Sequence, residues 1–413
     1  MQKLQGLKCI NCGKEHQISE TRYVCKSCSG NLQVVYDYAS IKKDFTRKKL
    51  QESERSIWRY SDILPVSNSD FRTPLQVGWT PLYPSRNIGK KLGLANLYIK
   101  DDGRNPSASF KDRAGAVAIA HALENGEKLI TGASTGNAAS SLACLASALG
   151  VKTMIFVPET APVAKIAQLL VFGAKVISVK GNYDSAFDLC LKATDLYGWY
   201  NRNTGYNPYT REGKKTCAFE ILEQLDWRCP DKVFVSVGDG NIISGLWKGF
   251  YDFFQLGLID RLPQLVGVQA EKSNSIKQAF ESDGVIKPVS GDTIADSISV
   301  SIPRDGDAAV KALKESKGFP ISVDDEEILS SIKELARQEG VFAEPAGATA
   351  LAGFLKAHKL GKVTDKETVV IVITGNGLKD VASAMKAVSK PYNIEPNIEA
   401  LKKLVLEKHL IDQ

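Results

Sequence analysis

The chain has 413 residues, 43% of them hydrophobic and 24% charged, and 53 basic against 47 acidic residues leave a formal net charge of +6. Such a length allows two or three domains, and the composition is ordinary for a globular protein. A mild charge without a long basic block argues against nucleic-acid binding. The sequence shows neither an apolar signal-peptide core nor the run of about 18 apolar residues that a membrane helix needs. We therefore expect a cytoplasmic protein with no membrane partner.

The predicted elements are typical of an α/β protein. Residues 1–38 are rich in cysteine, glycine and polar turns and are expected to form a small module. Helical patterns at 41–47 and 57–64 precede a strand at 96–100. Short, continuously apolar strands then alternate with helices, which predicts parallel sheets covered on both faces. The expected strands are 128–131, 151–157, 175–179, 233–237, 264–269 and 368–373, and the expected helices are 114–124, 137–148, 163–172, 185–197, 216–225, 242–254, 326–339 and 348–358.

Four of the eight cysteines form two Cys-X-X-Cys pairs near the amino terminus. Cys9 pairs with Cys12, and Cys25 pairs with Cys28. Two thiolates at this spacing can hold one tetrahedral metal ion, and four thiolates fill every coordination position. The pattern therefore predicts a structural zinc ribbon, with a metal-free cluster as the alternative. A ribbon can also bind RNA or another protein, so it does not identify a function by itself.

A lysine-containing loop is the most informative stretch of the sequence. In the run Asn-Pro-Ser-Ala-Ser-Phe-Lys-Asp-Arg, Lys111 lies between a turn and the first turn of an apolar-periodic helix. An amine becomes a nucleophile when it loses its proton, which a partly desolvated site beside positive charge favours. Arg113 and the helix N-terminus are candidates for that charge. From the residues alone, an ordinary surface lysine is the alternative to a catalytic one.

The loop resembles the Ser-Phe-Lys-Asp-Arg loop of threonine synthases, which are pyridoxal phosphate (PLP) enzymes of fold type II, the tryptophan-synthase β-like fold. The resemblance covers nearly the whole chain, the amino-terminal ribbon included. It implies a Schiff base between PLP and Lys111, elimination chemistry on a small amino acid and a homodimer. It also implies an α/β protein with two parallel-sheet domains. We predict a zinc-ribbon module over 1–38, a large PLP-binding domain over 39–107 and 208–413, and a small domain over 108–207.

The turn Ser134-Thr-Gly-Asn137 matches the family next. It follows a strand and opens a helix, so its free backbone N–H groups can bind an anion, and a simple Ser/Thr helix cap is the alternative. The resemblance implies that Ser134, Thr135 and Gly136 bind the substrate carboxylate. It implies that Asn137 donates a hydrogen bond to the phenolic oxygen of the cofactor.

Two later loops complete the cofactor residues. The glycine-rich turn after the strand 233–237 can cradle a phosphate with main-chain N–H groups. The resemblance assigns it to the PLP phosphate, and its residues are Gly238, Asp239, Gly240, Asn241 and Ile242. After the last strand, Thr374 is expected beside the pyridine nitrogen, where a hydroxyl makes the ring a milder electron sink than a carboxylate would. The run that begins at Glu344 matches a family loop near the ring.

Four departures from the family pattern fall around the substrate. Thr210 stands where threonine synthases have an arginine that binds the substrate phosphate, and Arg211 follows one position later. One residue rotates a helical side chain by about 100°, so Arg211 need not replace it. The other departures are Asp239 and Ile242 in place of asparagine, Asn376 in place of histidine, and the divergent run 293–304. Lys165, which matches a family phosphate contact, is retained.

The leading interpretation is a threonine synthase, which converts O-phospho-L-homoserine and water into L-threonine and phosphate. Its expected substrate-binding residues are Ser134, Thr135, Gly136, Lys165 and Arg211. The alternative is a relative that acts on another small amino acid, as a dehydratase or ammonia-lyase, a β-replacement enzyme or an amino-ketone thiolase subunit. A non-catalytic zinc-ribbon binding protein is the alternative from another class.

Overall fold

The structure is a computed structural model, and it describes residues 3–161, 163–408 and 410. Its strands are β1 (Leu4–Cys9), β2 (Glu15–His16), β3 (Leu32–Tyr36), β4 (Leu82–Pro84), β5 (Leu97–Asp101), β6 (Leu129–Ala133), β7 (Lys152–Pro158), β8 (Lys175–Val179), β9 (Tyr200–Asn201), β10 (Lys232–Ser236), β11 (Gln264–Ala270), β12 (Phe319–Val323) and β13 (Val369–Ile373).

The helices are α1 (Tyr38–Asp44), α2 (Arg47–Gln51), α3 (Asn87–Leu92), α4 (Lys111–Glu124), α5 (Asn137–Ser147), α6 (Val163–Val171), α7 (Tyr183–Tyr197), α8 (Tyr209–Lys214), α9 (Thr216–Gln224), α10 (Asn241–Gln255), α11 (Ser275–Glu281), α12 (Gly306–Glu315), α13 (Asp325–Glu339), α14 (Pro345–Lys359), α15 (Val381–Lys386) and α16 (Ile398–Lys408). Short 3-10 helices span Ile57–Ile63, Ser69–Phe71, Asp102–Arg104, Glu271–Ser273, Asp296–Ile298 and Gly377–Asp380. None of the helices in these described ranges is long and apolar enough to cross a bilayer.

The strands form three sheets. The amino-terminal sheet is antiparallel, with the order β2-β1-β3. The largest sheet has the order β12-β11-β10-β13-β5-β4 and is parallel except for β4. The third sheet, β8-β7-β6-β9, is parallel throughout. Two parallel sheets in an α/β chain confirm the predicted fold class.

The central strands explain the continuous apolar runs of the sequence. Every residue of β10 and β13 is buried, because these neighbouring strands have helices on both faces of the sheet. The register places Val233 of β10 between Leu265 of β11 and Val370 of β13. The amino-terminal sheet packs into the same core, in which Val34 joins Phe250 of α10. The small amino-terminal sheet therefore packs directly against the body of the protein.

Three predicted elements differ in detail. The helix expected at 41–47 is instead divided between α1 and α2, because Phe45 and Thr46 have extended backbones. The helix expected at 57–64 is a 3-10 helix, Ile57–Ile63, with a non-helical backbone at Tyr60. The helix expected at 114–124 begins three residues earlier, at Lys111, so this lysine lies in the first turn of α4. That position puts the amine at the positive end of the helix dipole.

Candidate active site

A cavity of about 430 Å³ opens where strands of both parallel sheets end. Ligands in open α/β sheets bind beside the carboxyl ends of strands, and the loops after β6, β9, β10 and β13 all contribute here. The lining consists of Lys111, residues 133–138, 182–184 and 202–204, Lys214, residues 236–243 and 296–302, Arg304, Glu344, Ala346 and Thr374.

The loop that carries Lys111 is fixed to the loop that follows β13. The backbone N–H of Phe110 donates to the Thr374 carbonyl at 2.9 Å, and the N–H of Asn376 donates to the Ala108 carbonyl at 3.0 Å. Ala108 adopts a left-handed backbone with φ of 61°, which is uncommon for a residue with a side chain. These contacts hold Lys111 and Thr374 on neighbouring parts of the cavity wall.

The electrostatic surroundings of Lys111 favour a neutral amine. Burial lowers the pKa of Lys111 below its usual value, the Arg202 guanidinium lowers this pKa further, and the carboxylates of Glu344 and Asp239 oppose the shift. Because the nucleophilic form of lysine is the neutral amine, this setting suits covalent chemistry.

Arg113, one of the sequence candidates for that positive charge, is neutralised elsewhere. Its fully buried guanidinium donates to Asp102 at 2.6 Å and to Glu220 at 2.5 Å. Lys100 also donates to Glu220, at 2.7 Å. The prediction that Arg113 supplies the charge beside Lys111 is therefore wrong, because the carboxylates of Asp102 and Glu220 neutralise the Arg113 guanidinium. The network instead anchors α4.

The turn Ser134–Asn137 joins β6 to α5 as predicted. Gly136 precedes the helix and gives it no side-chain cap, so the first N–H groups of α5 have no partner within the helix. The Asn137 amide donates to the Glu344 carboxylate at 2.7 Å. Burial raises the pKa of Glu344 to about 6, although Lys111 and Lys379 lower it. The turn thus offers anion-binding groups beside a buried acid.

The glycine-rich loop between β10 and α10 is shaped by the divergent run before α12. A side chain at Gly238 would lie 2.8 Å from the Ile298 Cα, and one at Gly240 would lie 2.6 Å from the Asp305 carbonyl oxygen. Gly240 also has a φ of 90°, a left-handed conformation that glycine adopts without strain. These close approaches leave the N-terminus of α10 facing the cavity without a side-chain cap.

Polar side chains surround the same loop. The Thr374 hydroxyl lies 3.3 Å from the Ser236 hydroxyl, and Lys214 donates to the side-chain oxygen of Asn241. Asp239 accepts a hydrogen bond from the Arg304 N–H at 3.2 Å, and burial raises the pKa of its carboxyl. A helix N-terminus, two loop glycines and a buried lysine fit a phosphate. Together with Lys111, these residues fit PLP.

The structure does not bring Arg211 to the cavity. The two terminal nitrogens of its guanidinium bind the Asp305 carboxylate, at 2.6 Å, and the Leu32 carbonyl of β3, at 3.0 Å. Thr210 is also fully buried, and its hydroxyl donates to the Asn207 carbonyl at 2.8 Å. Neither residue belongs to the cavity lining. The proposed substrate contact of Arg211 is therefore corrected, because one buried carboxylate already holds its charge.

Asp305 also connects the amino-terminal sheet to the glycine-rich loop. Its carboxylate accepts from Asn31 at 2.9 Å, from Asn241 at 2.7 Å and from Ser244 at 2.8 Å. Asn31 precedes β3, whereas Asn241 and Ser244 lie in the first turn of α10. With Arg211, four side chains converge on one carboxylate.

The remaining predicted residues lie at the edge of the site. Lys165 pairs with Asp296 and lines a smaller neighbouring cavity of about 30 Å³, which it shares with Thr135, Gly136 and Asn137. Asn376 lies outside both linings, and its side chain accepts from the Leu378 N–H at 3.0 Å. Lys165 thus lies behind the anion-binding turn, whereas Asn376 caps a short helix.

Two cationic cavity residues, Arg202 and Lys214, were missed from the sequence. Arg202 lies eight residues before Thr210, and Lys214 lies four residues after it. Lys214 could have been found from the family resemblance. It stands in the stretch Glu-Gly-Lys-Lys-Thr, where the pattern of threonine synthases is Glu-Gly-Gln-Lys-Thr. Arg202 has no such signal.

The four amino-terminal cysteines come together as predicted. Their sulfur atoms all lie within 4.8 Å of one another. The Cys9 and Cys28 sulfurs are 3.5 Å apart, and those of Cys12 and Cys25 are 3.7 Å apart. Zn–S bonds of about 2.3 Å in a tetrahedron place sulfurs roughly 3.8 Å apart. The donor set therefore fits a zinc ion.

Comparisons with known proteins agree with this geometry. The family model described as "Pyridoxal-phosphate dependent enzyme" matches residues 73–375. The threonine synthase of Methanocaldococcus jannaschii is 40% identical over 97% of this chain and 99% of its own length. That of Methanosarcina acetivorans is 39% identical over 97% and 99%. The solved structure of threonine deaminase isoform 2 from Solanum lycopersicum has a TM-score of 0.65 at 23% identity, covering 75% of this chain and 87% of that one. The chain therefore belongs to the PLP-dependent enzymes and, within them, to the threonine synthase family.

Proposed function

We propose that this member of the family converts O-phospho-L-homoserine and water into L-threonine and phosphate. The observation that carries the proposal is the arrangement of Lys111 in one cavity with two anion-binding loops, the turn Ser134–Asn137 and the loop Gly238–Ile242. The similarity over almost the whole length of archaeal threonine synthases supports the substrate.

Each anion-binding loop has a separate task in this proposal. The N–H group of Thr135 and the first N–H groups of α5, at Asn137 and Ala138, bind the substrate carboxylate and fix the amino acid beside Lys111. The Ser134 N–H already donates to the Phe156 carbonyl at 3.1 Å, and the Gly136 N–H donates to the Ser134 hydroxyl at 3.2 Å, so these two residues shape the turn and line the site. The N–H groups of residues 238–242, with Lys214, hold the cofactor phosphate at the N-terminus of α10. Asn137 and Thr374 orient the cofactor between them, as the family resemblance implies.

Lys111 then moves protons at the substrate carbons. A pKa below its usual value lets the amine accept a proton from Cα at working pH and return one to the neighbouring carbons. When bound, PLP supplies the electron withdrawal that makes the Cα proton acidic. Buried Glu344 keeps the side chain of Asn137 in place through their hydrogen bond.

The direct test incubates purified holoenzyme with O-phospho-L-homoserine and measures phosphate and threonine. We expect both products in equal amounts. Lys111→Ala should abolish turnover and the visible absorbance, and borohydride should attach the cofactor irreversibly to Lys111 in the parent enzyme, as peptide mass mapping would show. Lys128→Ala, which removes an exposed lysine outside the cavity lining, is the control and should change neither result. A cofactor adduct on another lysine would refute the assignment.

A second candidate function is elimination or replacement on another small amino acid. It is favoured by the absence of Thr210 and Arg211 from the cavity, because the arginine position used by the family makes no contact there. Turnover of serine, threonine or alanine derivatives, with none of phosphohomoserine, would select it.

We also propose a structural zinc ion on Cys9, Cys12, Cys25 and Cys28, on the strength of their sulfur geometry. The homodimer, the cytoplasmic location and the domain boundaries stay predictions. Sedimentation would test the dimer. Limited proteolysis would test boundaries at 38/39, 107/108 and 207/208.

A further inference from the structure

Arg202 occupies an unusual position at the end of β9. Its backbone N–H donates to the Thr131 carbonyl at 2.9 Å, which continues the pairing of β9 with β6. It thus lies beside Gly132, where an added side-chain carbon would be 3.3 Å from the Arg202 Cδ. A glycine at this point leaves room for the arginine side chain, which lines the cavity.

The guanidinium of Arg202 has no acidic partner among the described residues. The residue is 2% exposed, and its Nε and one terminal nitrogen are buried without a hydrogen-bond acceptor in that part of the chain. Burial lowers the pKa of Arg202 to about 10, so the group is still charged near neutral pH. Because a buried and unpaired charge is strongly destabilising, this side chain is expected to bind an anion.

The acids that line the cavity do not supply that anion. Asp184 accepts from the Arg304 side chain at 2.6 Å, and Asp296 pairs with Lys165. Asp239 accepts from the Arg304 backbone N–H at 3.2 Å, and Glu344 accepts from Asn137. Among the ionisable groups of the described cavity wall, Arg202 is therefore a cation whose charge the protein leaves for a ligand.

Its location distinguishes the two phosphates of the proposed reaction. The cofactor-phosphate loop follows β10 in the largest sheet, and Lys214 already donates to Asn241 there. Arg202 belongs to the other sheet, next to Asn203, whose side chain accepts from the Ala133 N–H at 2.7 Å. Ala133 precedes the turn proposed for the substrate carboxylate. Arg202 therefore lies next to the turn proposed for the substrate carboxylate. Its charge also reaches Lys214, whose pKa is lowered first by burial, then by Lys111 and then by Arg202.

We propose that Arg202 binds the phosphate group of the substrate and so replaces the family arginine whose position is taken by Thr210. This inference rests on the proposed function. A guanidinium can donate two parallel hydrogen bonds to a phosphate, which selects a phosphorylated amino acid over an uncharged one. In this proposal the phosphate-binding arginine lies after β9 and not at the start of α8.

The experiment compares Arg202→Met and Arg202→Lys with the parent holoenzyme. For Arg202→Met we expect a KM for phosphohomoserine raised roughly 100-fold, with a smaller loss of kcat, because a buried charge-assisted contact is lost. The inhibition constant of inorganic phosphate should rise in parallel. The dissociation constant of PLP should stay within about twofold, since another loop holds the cofactor phosphate. Arg261→Met removes an exposed arginine outside the cavity lining and serves as the control.

Each other outcome has a defined meaning. A PLP affinity that falls as much as the phosphohomoserine affinity would assign Arg202 to the cofactor and overturn the proposal. If Arg202→Met does not fold, Arg202→Lys keeps the charge but loses the two-pronged contact, and a KM equal to that of the parent would overturn it. If the parent enzyme does not convert phosphohomoserine, the proposed function fails separately. Calorimetry with inorganic phosphate then decides, because equal binding by parent and variant would refute the anion site.

Discussion

The substitution Gly240→Ala tests the cofactor-phosphate loop directly. The new Cβ would lie 2.6 Å from the Asp305 carbonyl oxygen and 2.9 Å from the Ala309 Cβ, and the backbone there has a φ of 90°. The left-handed conformation costs a residue with a side chain about 1–2 kcal/mol. Relieving the contact with a backbone atom costs about as much again. The apoprotein can relax its loop, whereas cofactor binding requires the original shape, so about 3 kcal/mol opposes binding.

That free energy corresponds to a roughly 150-fold weaker affinity for PLP. Titration of the apoenzyme with PLP, followed by absorbance, measures it. The matched control is Gly340→Ala, at a position with a φ of 68° and no atom within 4 Å of the added carbon. It carries similar backbone strain after α13, far from the loop in sequence, and should lower the Tm without changing PLP affinity. The reasoning is refuted if Gly240→Ala binds PLP as tightly as the parent, or if both variants weaken binding equally.

Two further predictions concern stability, and a third concerns the metal site. The raised pKa of Glu344, about 6 against its usual 4.5, means that stability falls by about 2 kcal/mol as the pH rises through this window. Glu344→Gln should flatten the profile of Tm against pH, and an unchanged slope would contradict this. Arg113→Met leaves buried Asp102 without its cationic partner and Glu220 with Lys100 alone, and should cost about 3–5 kcal/mol in a denaturant titration; a loss below about 1 kcal/mol would be inconsistent. Cys25→Ser should abolish zinc binding, measured by elemental analysis, and parent-level zinc would disprove the ligand set.

Much of the fold follows from the sequence because burial leaves a clear pattern. β10 and β13 are buried on both faces, and their continuous apolar runs are the expected consequence. β12 was missed because it contains Pro320, a residue that usually interrupts a strand. The structure explains how the proline is accepted, since β12 is the edge strand of its sheet. α12 begins at a glycine, Gly306, and was missed as well.

The site could be predicted only as far as local motifs reach. Lys111 and the two anion-binding loops each lie in one short segment, so their sequence order was enough to identify them. The direction of Arg211 depends on its rotation about α8 and on Asp305, 94 residues away. Whether Arg202 has an acidic partner depends on all the residues that surround it in the fold, which lie in distant parts of the sequence. The strand that positions Arg202, β9, is only two residues long and leaves no clear pattern in the sequence. Which charged side chains pair over long distances in the sequence therefore could not be predicted.

The carboxylate of Asp305 connects the amino-terminal sheet to the loop that we propose for the cofactor phosphate. It binds Asn31 beside the cysteine cluster and Asn241 at the start of α10 in the same network. If metal binding and cofactor binding each stabilise residues that contact Asp305, the two binding equilibria are thermodynamically linked. Such linkage is reciprocal, so each ligand raises the affinity for the other. Metal at the cysteines and coenzyme in the cavity would each stabilise the surface on which the other depends. Trimming the chain to its catalytic body would consequently remove a support of the active site.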